Sequence, residues 1–119
     1  MIVYRLENYK GKGPFSGSQG MALQLISHKD PTTMLEDIGL SVNEFESVTD
    51  KGAIFGWRSA ELMRKFFRNA EKASCRASEM KFKITEYEVD SAIEFPDGQV
   101  LFVRPDSFIR KISVRDFLD

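Results

Sequence analysis

The sequence is poor in the residues that make covalent frameworks and metal centres. It has one cysteine, Cys75, and one histidine, His28, among 119 residues. A single cysteine excludes a disulfide network within one chain, and a reducing compartment suits that usage. His28 and Cys75 lie far apart with no ligand spacing between them, so no zinc-type motif is present. Long apolar runs are missing too. No stretch approaches the roughly 20 apolar residues that span a bilayer. The opening MIVYRLENYK carries Arg5 and Glu7 and has no apolar run of the signal-peptide kind. These absences predict a cytoplasmic protein outside the membrane, in the host cytoplasm if it is viral. An excess of one charge is also lacking: 17 Lys and Arg oppose 18 Asp and Glu, net −1. The molecule as a whole is therefore not a polyanion glove.

What is present suits one domain over residues 1–119. Hydrophobic residues make up 42% of the chain, enough to build a core, and charged residues 29%. Residues 1–7 predict a strand, with Ile2, Tyr4 and Leu6 on one face and Val3, Arg5 and Glu7 on the other. Residues 8–20, NYKGKGPFSGSQG, hold four glycines and a proline and read as a loop. Residues 21–28 suit a short helix or a strand. Residues 29–50 carry Asp30, Glu36, Asp37, Glu44, Glu46 and Asp50 against Lys29 alone. They read as a solvated connection, or else as a mobile lid or partner surface.

Residues 58–73 predict the main amphipathic helix. Ser59 suits its N-cap, and Glu61 lies near the positive end of the helix dipole. Leu62, Met63, Phe66, Phe67 and Ala70 make an apolar stripe at three- and four-residue spacing. Arg64, Lys65, Arg68 and Lys72 take the other face, which reads as solvation. Nucleic-acid binding through Arg64–Lys83 is disfavoured there, because that helix face offers no exposed aromatics for base stacking. Residues 80–90 predict a strand whose apolar parity switches near Thr85–Glu86, as a β-bulge or bend would make it. FPDG at 95–98 predicts a turn. Residues 99–104 are apolar on both faces, as in an interior strand. A last strand is expected around Ile109–Val114. A helix preceding clustered strands argues for the α+β class.

Arg5 carries the chemistry of most interest. A strand arginine beside a Gly-Pro loop suits an anion clamp, its planar donors matching phosphate oxygens. Gly11, Gly13 and Gly17 would let backbone approach a ligand, and Phe15 would wall a ring. The alternative is an ion pair, for instance of Arg5 with Glu86 or Glu88. GKGPF is not a P-loop, since no Gly-Lys-Ser/Thr tail follows. Cys75, placed after the helix, reads as a bystander.

Four short patterns occur in order: Tyr4-Arg5-Leu6-Glu7, Gly13-Pro14-Phe15, Phe55-Gly56-Trp57-Arg58-Ser59 and Gln99-Val100-Leu101-Phe102. In this the chain resembles small ADP-ribosyltransferase-like proteins of phages and bacteria. The resemblance implies a split antiparallel sheet and NAD as substrate. Arg5 would grip the pyrophosphate or ribose, in a site with Gly13, Phe15 and Ser59. Phe55 or Trp57 would stack on nicotinamide, and Gln99 would take the late-strand catalytic position. Gln99 departs from the family's glutamate there, and a glutamine cannot act as a base. Catalysis would then rest on positioning and electrostatics, or on a nearby Glu88 or Glu94. Two functions follow as expectations. One is NAD-dependent modification of a host macromolecule. The other is non-catalytic binding that inhibits a host defence protein, with Asp30–Asp50 as the docking surface.

Overall fold

The structure, a computed structural model, describes residues 1–13, 39, 41, 43, 44, 47, 52–67 and 69–119. The expected loop beyond Gly13, the segment 21–28 and most of 29–50 lie outside them. Alternation in the first residues produces β1 (Ile2–Asn8). Five strands join it: β2 (Ala53–Trp57), β3 (Phe82–Glu88), β4 (Ile93–Glu94), β5 (Gln99–Val103) and β6 (Arg110–Ile112). They form one antiparallel sheet in the order β4-β5-β2-β1-β3-β6. The helices α1 (Ala60–Arg64), α2 (Ala70–Glu79) and α3 (Val114–Leu118) accompany the sheet. The α+β class expected from the sequence holds.

The sheet is strongly paired within its halves and thinly paired between them. β1 and β3 share an unbroken ladder from Ile2↔Glu88 to Asn8↔Phe82. β2 and β5 match over five residues, from Ala53↔Val103 to Trp57↔Gln99. Between β1 and β2 the register is carried by Tyr4↔Trp57. Gly56 lies at this seam, where a Cβ would come within 2.5 Å of Val3 Cγ1 and 2.9 Å of the Tyr4 carbonyl oxygen.

Both faces of the sheet are buried, and this corrects the expected bulge. Leu6, Phe82 and Ile84 pack under the helices with Met63, Phe66 and Phe117. Val3, Tyr87, Val100 and Phe102 form a second core on the opposite face. The parity switch in residues 80–90 therefore needs no slip in the chain. Phe82 and Ile84 serve the helical face, and Tyr87 serves the other, along one regular strand.

The single helix expected over residues 58–73 is interrupted. Ser59 does cap α1, its hydroxyl accepting from the Leu62 N–H at 3.2 Å. The helix then tightens through i→i+3 bonds, from Phe66 N to Met63 O and Phe67 N to Arg64 O. A new helix starts at Asn69, whose Oδ1 accepts from the Lys72 N–H at 2.9 Å. Asparagine is a poor interior helix residue and a strong cap, so the local choice favours a restart. Phe66 and Phe67 are both buried and meet edge to face at 5.3 Å. Burial of each ring contributes about 1.5–3 kcal/mol, more than the roughly 1 kcal/mol of one net backbone hydrogen bond. Cys75 falls inside α2 and is exposed, rather than following the helix.

The expected last strand is shorter, and a helix follows it. Ser113 caps α3 by accepting from the Asp116 N–H at 3.1 Å. The FPDG turn holds: Gly98 has φ +99°, and the Phe95 N–H donates to the Gln99 carbonyl at 2.9 Å. It joins β5 to β4, a two-residue strand.

Candidate functional site

Arg5 and Glu7 lie two residues apart on β1 and so share a face. Their side chains meet, Arg5 Nε donating to Glu7 Oε2 at 3.0 Å. Tyr87 extends along the same face from β3 and donates its hydroxyl to Glu7 Oε1 at 2.6 Å. Arg104, which follows β5, donates Nη2 to Glu7 Oε2 at 3.3 Å and also to the Gly11 carbonyl. One carboxylate, 4% exposed, thus accepts from two guanidinium groups and a phenol. Arg5 also donates Nη1 to the Phe55 carbonyl at 2.6 Å. That bond crosses the seam between β1 and β2.

Burial raises the Tyr87 phenol above its ordinary pKa, and its hydrogen bond to Glu7 raises it further. Burial lowers Arg5, while Glu7 counters by favouring the charged form. On the opposite face, burial followed by the Glu86 carboxylate raises Tyr4. Glu86 itself is paired with Arg110 Nε at 3.2 Å, so the ion pair of Arg5 is with Glu7 and that of Glu86 is with Arg110. Glu88 is exposed and pairs with the Met1 amino group at 3.3 Å.

The other candidate residues are distributed as follows. Gly13 is buried against Arg5, where a Cβ would come within 3.0 Å of Nη2. Phe15 lies outside the described residues. The Phe55 ring lies 6.3 Å from Phe95, and Trp57 packs 5.8 Å from Phe66. Ser59 is the α1 cap. Gln99 is buried, stands opposite Trp57 in the ladder, and donates Nε2 to Asp97 Oδ2 at 2.6 Å. Arg5, Gly13 and the Phe55 backbone are therefore together. Trp57 packs into the helical core, on the sheet face opposite Arg5, and Gln99 is its cross-strand partner. Glu88 stands at the far end of β3, opposite Ile2. Glu94 is exposed on β4.

Sequence reasoning left out Tyr87 and Arg104 from the Arg5 neighbourhood. They lie 80 and 97 residues from Glu7, and no local signal joins them. The Arg5–Glu7 pair did have one: an i, i+2 spacing in a strand.

A groove of about 790 Å³ opens at the start of β3, beside the C-terminal half of α2. Its lining includes Tyr9, Cys75, Lys81, Lys83, Lys111 and Arg115. Among the described residues, no group of three or more His, Cys, Asp and Glu is arranged to hold a metal. Among them, too, no helix is long and apolar enough to cross a membrane.

A family model described as Bacteriophage T4 Y00F protein matches residues 1–115. No curated protein matches the chain, and no solved structure does.

Proposed function

The chain belongs to the Bacteriophage T4 Y00F protein family, and from that premise we propose that it acts by binding a macromolecule of the infected cell, without turnover. One observation carries this reading. The arginine best suited to hold a nucleotide is turned inward, with Nε on Glu7 and Nη1 on the Phe55 carbonyl. Freeing it for a phosphate would leave a buried carboxylate short of a partner, and breaking a buried pair costs about 3–5 kcal/mol. Gln99 is likewise held by Asp97. These groups do structural work, which leaves the surface for recognition. Inhibition of a host defence protein through the acidic stretch Asp30–Asp50 is one form such binding would take.

A second reading, NAD bound beside β1, is favoured by the thin seam of the sheet at Arg5 and by Gly13 lying against its guanidinium. Calorimetric titration with NAD, ADP-ribose and nicotinamide separates the two. The binding reading expects no saturable heat from any of them. It also expects the protein, added to host lysate, to shift saturably into a larger species on gel filtration. Saturable NAD binding with release of nicotinamide would replace it with the transferase reading.

A further inference from the structure

We propose that the groove beside α2 and β3 binds single-stranded nucleic acid, an assignment that rests on the binding reading and names the partner's chemistry. Four cationic side chains line it: Lys81, Lys83, Lys111 and Arg115. Two lining carboxylates oppose them, and both are engaged elsewhere. Glu7 is held by Arg5 and Arg104, and Glu79 by Arg76 at 3.3 Å. No acid among the described residues pairs with the four cations. Residues 29–50 carry six acids and one lysine, so the rest of the chain has 16 basic and 12 acidic side chains, net +4. The near-neutral total therefore averages an acidic stretch of sequence with a basic remainder.

Aromatic rings accompany these charges. Tyr9 lines the groove, is 65% exposed, and has Lys81 Nζ over its ring at 5.4 Å and Lys10 Nζ at 5.7 Å. Phe108 is 52% exposed and has the groove-lining Lys111 Nζ over its ring at 5.0 Å. An exposed cation–π contact is weak. A base can displace the ammonium from the ring, and the ammonium can then meet a phosphate. Rings interleaved with lysines are the combination that unpaired strands use, bases stacking while the backbone follows the charge. An acidic peptide would use the lysines but not the rings, and a duplex keeps its bases stacked on each other.

Lys81 is a third observation. It holds φ +60°, and among the described residues it is the non-glycine residue with positive φ. It occupies the position just past the α2 C-cap, where its N–H donates to the Ser78 carbonyl. Glycine is usual there because a Cβ is disfavoured. A lysine at this strained position directs an ammonium over Tyr9 and into the groove, and backbone strain of this kind gathers at functional sites.

The test is fluorescence anisotropy with a labelled oligothymidylate of about 12 nucleotides, a length within the range that single-strand sites cover. The expectation is saturable binding at low salt, weaker binding to a duplex of equal length, and a log–log salt slope near −3 for about four phosphate contacts. Tyr9→Ala should weaken binding about tenfold, while Tyr9→Phe stays close to wild type. The double variant Lys83→Gln/Lys111→Gln should flatten the slope by about 1.4. Lys81→Gly should weaken binding while its unfolding midpoint stays equal or rises, so that loss cannot be laid to misfolding. Maleimide labelling of the exposed Cys75 in the groove wall should slow when the oligonucleotide is bound. The proposal is overturned by no binding at low salt. Equal affinity for duplex or polyglutamate overturns it, as does indifference to Tyr9 and Lys81 substitution. If the oligonucleotide fails but the lysate complex survives nuclease, the binding reading stands and this assignment falls. NAD turnover, measured separately, bears on the binding reading alone.

Discussion

The Tyr87 hydroxyl donates to Oε1 of Glu7 at 2.6 Å, joining β3 to β1 across 80 residues of chain. Burial and the Glu7 carboxylate hold this phenol above its ordinary pKa of about 10. The folded chain thus keeps a proton that the unfolded chain releases as pH passes about 10. Its stabilisation is complete below that pH and is lost as pH rises through the raised value. Tyr87→Phe should lower stability at neutral pH by about 1.5–3 kcal/mol, the range for a hydrogen bond to a charged group. It should also make the alkaline loss of stability shallower. Urea midpoints from neutral pH to about pH 11 check both, and parallel pH curves for the two proteins would contradict the assignment.

Arg5 and Glu7 behave as one unit. Arg5→Ala leaves Glu7 with fewer donors and removes the bond to Phe55 across the seam, so a loss of about 3–5 kcal/mol is expected. Glu7→Gln should be costly by itself, and the double variant should lose less than the sum, with coupling of about 1–3 kcal/mol. A double-mutant cycle in urea measures this. Additive losses would mean that the pair contributes nothing beyond its separate contacts.

Gly56 is fixed by close approach at the seam, with Val3, the Tyr4 carbonyl and Phe102 all within 3.0 Å of where a Cβ would be. Gly56→Ala must push β1 and β2 apart or displace Phe102. A loss of about 1–3 kcal/mol is expected, seen as a lower unfolding midpoint. Amide exchange should rise in β2 more than in the β1–β3 ladder, because the seam is the thinner pairing.

Asn69 decides where the helical segment restarts. Asn69→Ala removes the cap on Lys72 N–H and should cost about 1 kcal/mol, while Asn69→Asp should retain most of the stability. Thermal unfolding of the two variants distinguishes a cap from a generic polar position, for which both changes would act alike.

What the sequence determined by itself lies where the physics is local. Alternation placed β1, the FPDG turn followed from φ requirements, Ser59 was readable as a cap, and an apolar run on both faces marked β5 as interior. Asn69 and Ser113-Val-Arg-Asp116 carried cap signals of the same local kind for α2 and α3. What only the tertiary structure decided depends on residues far apart in the chain. Tyr87 and Arg104 reach Glu7 because three strands bring one face together, and this turned Arg5 from an outward donor into an inward partner. The parity change in β3 has the same origin: a strand buried on both faces has two cores to supply, and the sequence records their sum. The groove was hidden for a related reason, since Tyr9, Lys81, Lys111 and Arg115 meet only after the sheet and α2 have formed. Net charge, being a total over the chain, carries no information about where its cations gather.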